Sequence, residues 1–165
     1  MLKEVDIRQG DLLLDSNVDI ICHQVNCQGV MGAGIAKQIR RCYPRVYEEY
    51  KRYCDRYHRN GMSPIGTCQI VYCDGSQTRR VANLFGQEHY GRSGVQTDYK
   101  MLELALNKMY LHIRSFYLRD DLTIGFPYLM GCDLAGGDWD TVLHLIRSEL
   151  ADYPGKVEIW RLNKT

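Results

Sequence analysis

The chain has 165 residues, with 21 lysines and arginines against 20 aspartates and glutamates, and 45% of its residues are hydrophobic. This length predicts one domain, residues 1–165, because single cores serve chains of roughly 100–200 residues. A net charge of +1 argues against a duplex-DNA-binding protein held by a large basic face. The apolar runs are too short for a membrane span of about 18 residues, and the N-terminal charges disfavour a signal peptide. We therefore expect a monomeric cytoplasmic protein, or a nuclear one in a eukaryote, with no membrane partner.

The seven cysteines are odd in number and form no C-x-x-C unit. They are interpreted as reduced thiols, several of them small buried apolar residues. The C-x4-C spacings at Cys22/Cys27 and Cys68/Cys73 lack partner pairs with zinc-finger spacing. The sequence therefore predicts no metal site.

The first half of the chain contains four predicted strands and two predicted helices. Alternation at residues 4–7 predicts a strand, and the apolar run 18–25 predicts a central strand. A glycine-rich stretch, residues 26–34 (the first loop), opens a short helix over 35–42, and Pro44 fits the first position of a helix that ends near residue 57. The last two strands, residues 67–72 and 80–85, are joined by a turn at Asp74-Gly75.

The second half begins with a polar loop over 86–94, and Thr97 is expected to cap the next helix. A buried strand over 122–126 leads to a second glycine-rich stretch, residues 130–137 (the second loop). Asp138 is expected to cap the last helix, and a strand over 157–160 follows it. Alternating strands and helices predict an α/β fold: a three-layer α/β/α sandwich with a central mixed, mostly parallel sheet of about six strands.

Both glycine-rich loops follow a buried strand and open a helix. In open α/β sheets ligands bind at the carboxyl ends of the strands, and helix N-termini complement a phosphate charge. The order of the glycines in the first loop and of Lys37 after it fits neither the P-loop nor the G-x-G-x-x-G pattern. The loops are therefore interpreted as a clamp for a phosphorylated ligand, with simple tight connections as the alternative.

Three ordered groups of motifs carry a resemblance to the macro domain family. They are QGDL with VDIICHQVNC and GAGIA (residues 9–36), then VANLFGQ (81–87), then FPYLMGCDLAGGDW (126–139). The resemblance covers residues 1–162. Within the family the chain looks closest to the branch of ADP-ribose 1''-phosphate phosphatases and ADP-ribosyl glycohydrolases.

The resemblance implies a cleft for ADP-ribose. It makes Asp11 the acceptor for the adenine amino group and Asn26 a contact of the distal ribose, although Asp11 could be only a turn acid and Asn26 could only stabilise its loop. Phe85 and Gln87 are placed where they border the cleft or pack within a surface loop. The full implied ligand-binding set is Asp11, Leu12, Asn26, Gly32, Ala33, Gly34, Ile35, Phe85, Gln87, Gly131, Cys132, Asp133, Leu134, Ala135 and Gly136.

The implied catalytic residues are His23, Asn26 and Asp133. Glycohydrolases of this branch use a lysine nucleophile and an acid, whose places here fall at Gly86-Gln87 and Ala135, so a lysine adduct is not expected. Asp133 either substitutes for that acid or only shapes the loop. His23 is either a general acid–base or a strand histidine bonded to a backbone group. No metal or cofactor is expected, because backbone N–H groups would stabilise the developing phosphate charge.

The resemblance therefore implies an ADP-ribose-binding hydrolase that removes phosphate from ADP-ribose 1''-phosphate. One alternative is a non-catalytic module that binds ADP-ribose. Another is a hydrolase of ADP-ribosyl linkages on protein or nucleic acid, with ADP-ribosylated macromolecules as partners.

Overall fold

The computed structural model describes residues 1–75, 78–91, 93–116 and 121–162. Within these ranges the chain forms six strands and four helices. The strands are β1 Asp6–Gln9, β2 Ile20–Val25, β3 Cys68–Tyr72, β4 Arg80–Phe85, β5 Ile124–Pro127 and β6 Val157–Arg161. The helices are α1 Gly34–Cys42, α2 Pro44–Arg59, α3 Tyr99–Phe116 and α4 Trp139–Glu149.

The six strands form one sheet in the order β1-β6-β5-β2-β4-β3. Every neighbouring pair is parallel except β3 with β4, which pair antiparallel with Cys68 opposite Leu84. The predicted mixed, mostly parallel sheet is confirmed. The hairpin follows from the predicted turn at residues 74–75, and the parallel pairs follow from the helical crossovers.

Helices cover both faces of the sheet, as the predicted sandwich requires. On one face, Ile39 of α1 and Val46 of α2 pack against Ile21 and Val81. On the other face, α3 and α4 pack against alternate residues of the same strands, including Cys22. The predicted buried stripe of α3 is confirmed, since its five members are at most 1% exposed: Leu102, Ala105, Leu106, Met109 and Ile113.

Two helix caps test the predicted helix starts. Asp138 caps α4 as predicted, since its carboxylate accepts from the N–H of Thr141 at 3.0 Å. The predicted cap of α3 at Thr97 is wrong, because Asp98 accepts from the N–H of Met101 at 3.1 Å. The Thr97 hydroxyl instead contacts the second loop. Among the described helices, none combines the length and apolar character that a membrane crossing requires.

Candidate functional site

A cleft of about 950 Å³ opens where the parallel strands end. The first loop with the start of α1 lines one side, and residues 127–131 and 133–135 line the other. Predicted site residues that line it are Asp11, Leu12, Asn26, Gly32, Ala33, Gly34, Ile35, Gln87, Gly131, Asp133, Leu134 and Ala135. The fold therefore brings together both loops that the sequence singled out. Four other predicted site residues, His23, Phe85, Cys132 and Gly136, are not among the residues that line it.

His23 is corrected from an acid–base candidate to a core residue. It is fully buried in β2, and its Nε2 lies 2.6 Å from Asn83 Oδ1. Asn83 in turn donates to Gln69, whose amide donates to the backbone of Glu49 in α2. Burial lowers the pKa of His23 to about 4, an effect that the Asn83 contact opposes. A neutral imidazole inside the sheet has no route to a ligand in the cleft.

Phe85 is corrected from a cleft residue to a packing residue. It is fully buried at the end of β4, with ring centroids of Tyr50 and Tyr53 at 5.8 and 5.1 Å. Side chains alternate along a strand, so Phe85 points to the same face as Val81, towards α2. It supports the base of the first loop from beneath.

Cys132 and Gly136 shape the second loop from behind the cleft. The Cys132 thiol donates to the carbonyl of Met130 at 3.3 Å, and burial followed by the nearby Asp138 raises its pKa to about 11. Gly136 has φ +73°, and a Cβ there would lie 2.9 Å from the carbonyl oxygen of Gly94. Burial likewise raises the pKa of Cys27 to about 12, so neither thiol supplies a thiolate nucleophile at neutral pH.

Asn26 holds the first loop together at the edge of the cleft. Its Oδ1 accepts from the N–H of Gln28 at 2.9 Å, and its Nδ2 donates to the carbonyl of Val30 at 2.8 Å. The hydroxyl of Tyr50 lies 2.9 Å from the same Oδ1, and burial raises the pKa of Tyr50, so it remains a donor. The loop-stabilising role that the sequence left open is therefore present. The second Nδ2 proton is the group that a ribose contact would use.

Asp11, beside the cleft, is likewise held by hydrogen bonds to both of its carboxylate oxygens. One carboxylate oxygen accepts from the N–H groups of Leu13 and Leu14 at 2.9 and 3.0 Å, as a turn acid does. The other accepts from Gln38 of α1 at 2.8 Å. These bonds orient the carboxylate at the end of the cleft next to β1.

Gln24, the penultimate residue of β2, links the segment after β4 to the second loop. Its Nε2 donates to Gln87 Oε1 at 2.8 Å and to Thr97 Oγ1 at 2.9 Å. The Thr97 hydroxyl donates to the carbonyl oxygen of Gly131 at 2.5 Å. A Cβ on Gly86 or Gly131 would lie 2.5 or 2.9 Å from Gln24 Oε1, so the amide needs glycine at both positions. We call this the Gln24 network.

The end of the cleft beside β6 contains residues that sequence reasoning missed. The guanidinium of Arg161 lies 4.8 Å from the centroid of the Tyr128 ring, and Trp160 lines the cleft beside them. Leu129 has φ +65°, a left-handed conformation that is uncommon outside glycine. These residues follow or end β5 and β6, so the rule that ligands bind at strand ends could have identified them.

The cleft carries little charge on its side chains. Within its described lining, Asp11 and Asp133 are the acids and Arg161 is the cation. The start of α1 supplies positive potential that the side chains lack. Its N-cap residue, Ala33, has no side chain that accepts from the first N–H groups, and the first turn contains no acid. Unpaired N–H groups and the positive end of the helix dipole therefore border the cleft, an arrangement that favours an anion such as a phosphate.

Comparison with known proteins shows which family this sequence resembles. A family model described as Macro domain matches residues 22–146. A DNA ADP-ribosyl glycohydrolase of Thermus aquaticus is 31% identical over 150 residues, which are 90% of this chain and 38% of that protein. An ADP-ribose 1''-phosphate phosphatase of Meyerozyma guilliermondii is 25% identical over 124 residues, 69% of this chain and 70% of that protein.

The fold agrees with these sequence matches. The solved macrodomain of Thermus aquaticus DarG superposes with a TM-score of 0.75 at 26% identity, covering 98% of this chain and 99% of that one. The chain spans only 38% of the length of the Thermus aquaticus glycohydrolase it matches. Since the family match extends over most of the sequence and the fold agrees, the chain belongs to the macro domain family.

Proposed function

We propose that the chain binds ADP-ribose in the cleft and removes phosphate from ADP-ribose 1''-phosphate. The observation that carries the proposal is the pairing of two glycine-rich loops, at the ends of β2 and β5, across one cleft. The uncapped N-terminus of α1 offers N–H groups for the diphosphate. Asp11 lies in the strand-end turn next to β1, where it would accept from the adenine amino group.

The proposed chemistry is attack of a water on phosphorus. Asp133, an exposed carboxylate on the second loop, takes the proton from the water. The bond between phosphorus and the oxygen on C1'' breaks, that oxygen receives a proton, and the products are ADP-ribose and inorganic phosphate. Backbone N–H groups around the loops stabilise the charge that develops on the phosphate. Gln87 lines the cleft at about the place where the family resemblance implies a lysine in glycohydrolases, and it cannot form an adduct, which favours water as the nucleophile.

The test measures phosphate release from ADP-ribose 1''-phosphate beside calorimetric binding of ADP-ribose. Asp133→Asn is expected to lower kcat by about 10²-fold or more and to retain binding. The matched control is Asp152→Asn, an exposed aspartate after α4 that does not line the cleft, which should leave both unchanged. Binding by the wild type without phosphate release would identify a non-catalytic ADP-ribose module. Absence of binding would refute the proposed ligand.

A second candidate is hydrolysis of an ADP-ribosyl linkage on a macromolecule. It is supported by the 31% identity to a protein named DNA ADP-ribosyl glycohydrolase. With Gln87 in the cleft, water activated by Asp133 would attack C1'' and release the linked group. Incubation with ADP-ribosylated DNA and ADP-ribosylated protein, followed by detection of free ADP-ribose, separates this reaction from phosphate release.

A further inference from the structure

The helix pair α1 and α2 is strongly basic although the whole chain is nearly neutral. Residues 34–59 contain eight lysines and arginines against three acids, whereas the remainder has 13 against 17. The basic residues are Lys37, Arg40, Arg41, Arg45, Lys51, Arg52, Arg56 and Arg59. This asymmetry concentrates positive charge on the side of the molecule that carries the first loop.

Three of these cations surround a second concavity. A groove of about 430 Å³ is lined by Met31, Gly32, Lys37, Arg40 and Arg41, and we call it the basic groove. Gly32 also lines the cleft, so the two concavities meet at the first loop. An anionic chain lying in the basic groove would therefore pass beside the proposed ADP-ribose site.

The cations of the basic groove are available for a ligand. The ion pairs of α2, Lys51 with Asp55 and Arg52 with Glu49, involve neither concavity. In the part of the chain that the structure describes, no carboxylate oxygen lies within 4.0 Å of the charged nitrogens of the three groove cations. Each of those three residues is exposed.

One of the arginines is also held in place. The guanidinium of Arg40 lies over the Tyr47 ring, 3.9 Å from its centroid, a cation–π contact that restrains its position. A planar guanidinium matches phosphate oxygens in a two-pronged contact that a flexible lysine does not make. An open groove with two arginines and a lysine suits a repeating phosphate backbone better than a single enclosed anion.

We infer that the basic groove is a docking surface for the phosphodiester backbone of a nucleic acid. Its three cations contact successive phosphates, and base identity plays no part. Docking is separate from the cleft and does not require an ADP-ribosyl group. Where the strand carries such a group, the shared Gly32 brings the modification beside the cleft, a consequence that rests on the second candidate function.

The experiment follows fluorescence anisotropy of a labelled single-stranded oligodeoxynucleotide without ADP-ribose. Neutralising three phosphates predicts a slope of about −2 for log K against log salt. The triple variant Lys37→Gln/Arg40→Gln/Arg41→Gln should lose on the order of tenfold in affinity or more at low salt. The control, Arg52→Gln/Arg56→Gln/Arg59→Gln, makes the same change in net charge on α2 outside the groove and should keep most of the affinity.

No binding to the wild type would overturn the inference, and so would an equal loss in the control variant. Competition by a polyglutamate peptide as effective as the oligonucleotide would also overturn it, because the partner would then be an acidic protein. Arg40 and Arg41 lie in the last turn of α1, where positive charge interacts favourably with the helix dipole, so thermal unfolding checks that the triple variant is folded. If that variant is unfolded, Lys37→Gln alone should reduce the salt slope by about 0.7. ADP-ribose titration of the groove variants, expected to be unchanged, separates this inference from the proposed function.

Discussion

At the scale of single residues, the direction of the hydrogen bonds in the Gln24 network follows from one carbonyl group. The oxygen of Gly131 can only accept, so the Thr97 hydroxyl must donate to it and accept from Gln24. Gln24 must therefore present its NH2 group, and Gln87 must receive the second proton through Oε1. One amide thus fixes the second loop relative to the segment after β4.

The Gln24→Met variant tests this coupling, because methionine has a similar length and cannot donate a hydrogen bond. ADP-ribose affinity is expected to fall on the order of tenfold, since the lost bonds, each contributing about 1 kcal/mol, no longer hold the second loop in place relative to Gln87 and Thr97. Calorimetric titration measures the change. The control is Gln28→Met, whose amide donates to the backbone of Glu88 and does not line the cleft. Equal affinity in the wild type and Gln24→Met would contradict the coupling.

At the scale of elements, α1 and α4 begin differently at the two sides of the cleft. Asp138 caps α4 with its carboxylate, whereas Ala33 leaves the first N–H groups of α1 without a side-chain acceptor. A missing cap costs a helix about 1 kcal/mol. The chain thus accepts a weaker helix start where free N–H groups border the cleft, which fits their use by an anionic ligand.

Substitution of Ala33 separates the effect of the missing cap on stability from its effect on ligand binding. Ala33 is exposed and has extended backbone angles, φ −149° and ψ 161°, which suit a capping residue. Ala33→Asp and Ala33→Asn are both expected to stabilise the protein by about 1 kcal/mol in chemical denaturation. ADP-ribose affinity should fall further in Ala33→Asp, because its carboxylate repels the diphosphate. Equal affinity in the two variants would show that charge at this helix terminus does not govern binding.

At the scale of the whole molecule, the order of the elements and the position of the cleft could be predicted from apolar runs and glycine-rich loops. The burial of individual strand side chains could not be predicted, because it depends on which face of the strand each side chain occupies. His23 and Phe85 lie on strands that end at the cleft, yet both point towards α2. The contact between Tyr128 and Arg161 could not be predicted either, although Tyr128 lies within the motif at residues 126–139, because it depends on β5 and β6 being neighbours in the sheet.

The net charge of the chain likewise does not show how the charges are distributed over the molecule. A balance of +1 excludes a large basic face only if the charges are evenly spread. Here the excess of cations in α1 and α2 is offset by acids elsewhere in the sequence, so a basic groove exists on a nearly neutral protein. Its position beside the first loop required the fold, because spacing along α1 does not show which loop lies next to it.

The buried His23 makes the stability of the whole fold depend on pH. Its pKa is about 4 in the folded protein against 6.5 for an ordinary histidine, so the unfolded chain binds the proton more tightly. The contribution is fully present above pH 6.5 and is lost as the pH falls towards 4, by about 3 kcal/mol. In denaturant unfolding, His23→Gln should lose less stability than the wild type between pH 7 and pH 4, whereas His144→Gln on the exposed side of α4 should match the wild type. An identical pH dependence in all three proteins would show that His23 is not the group responsible.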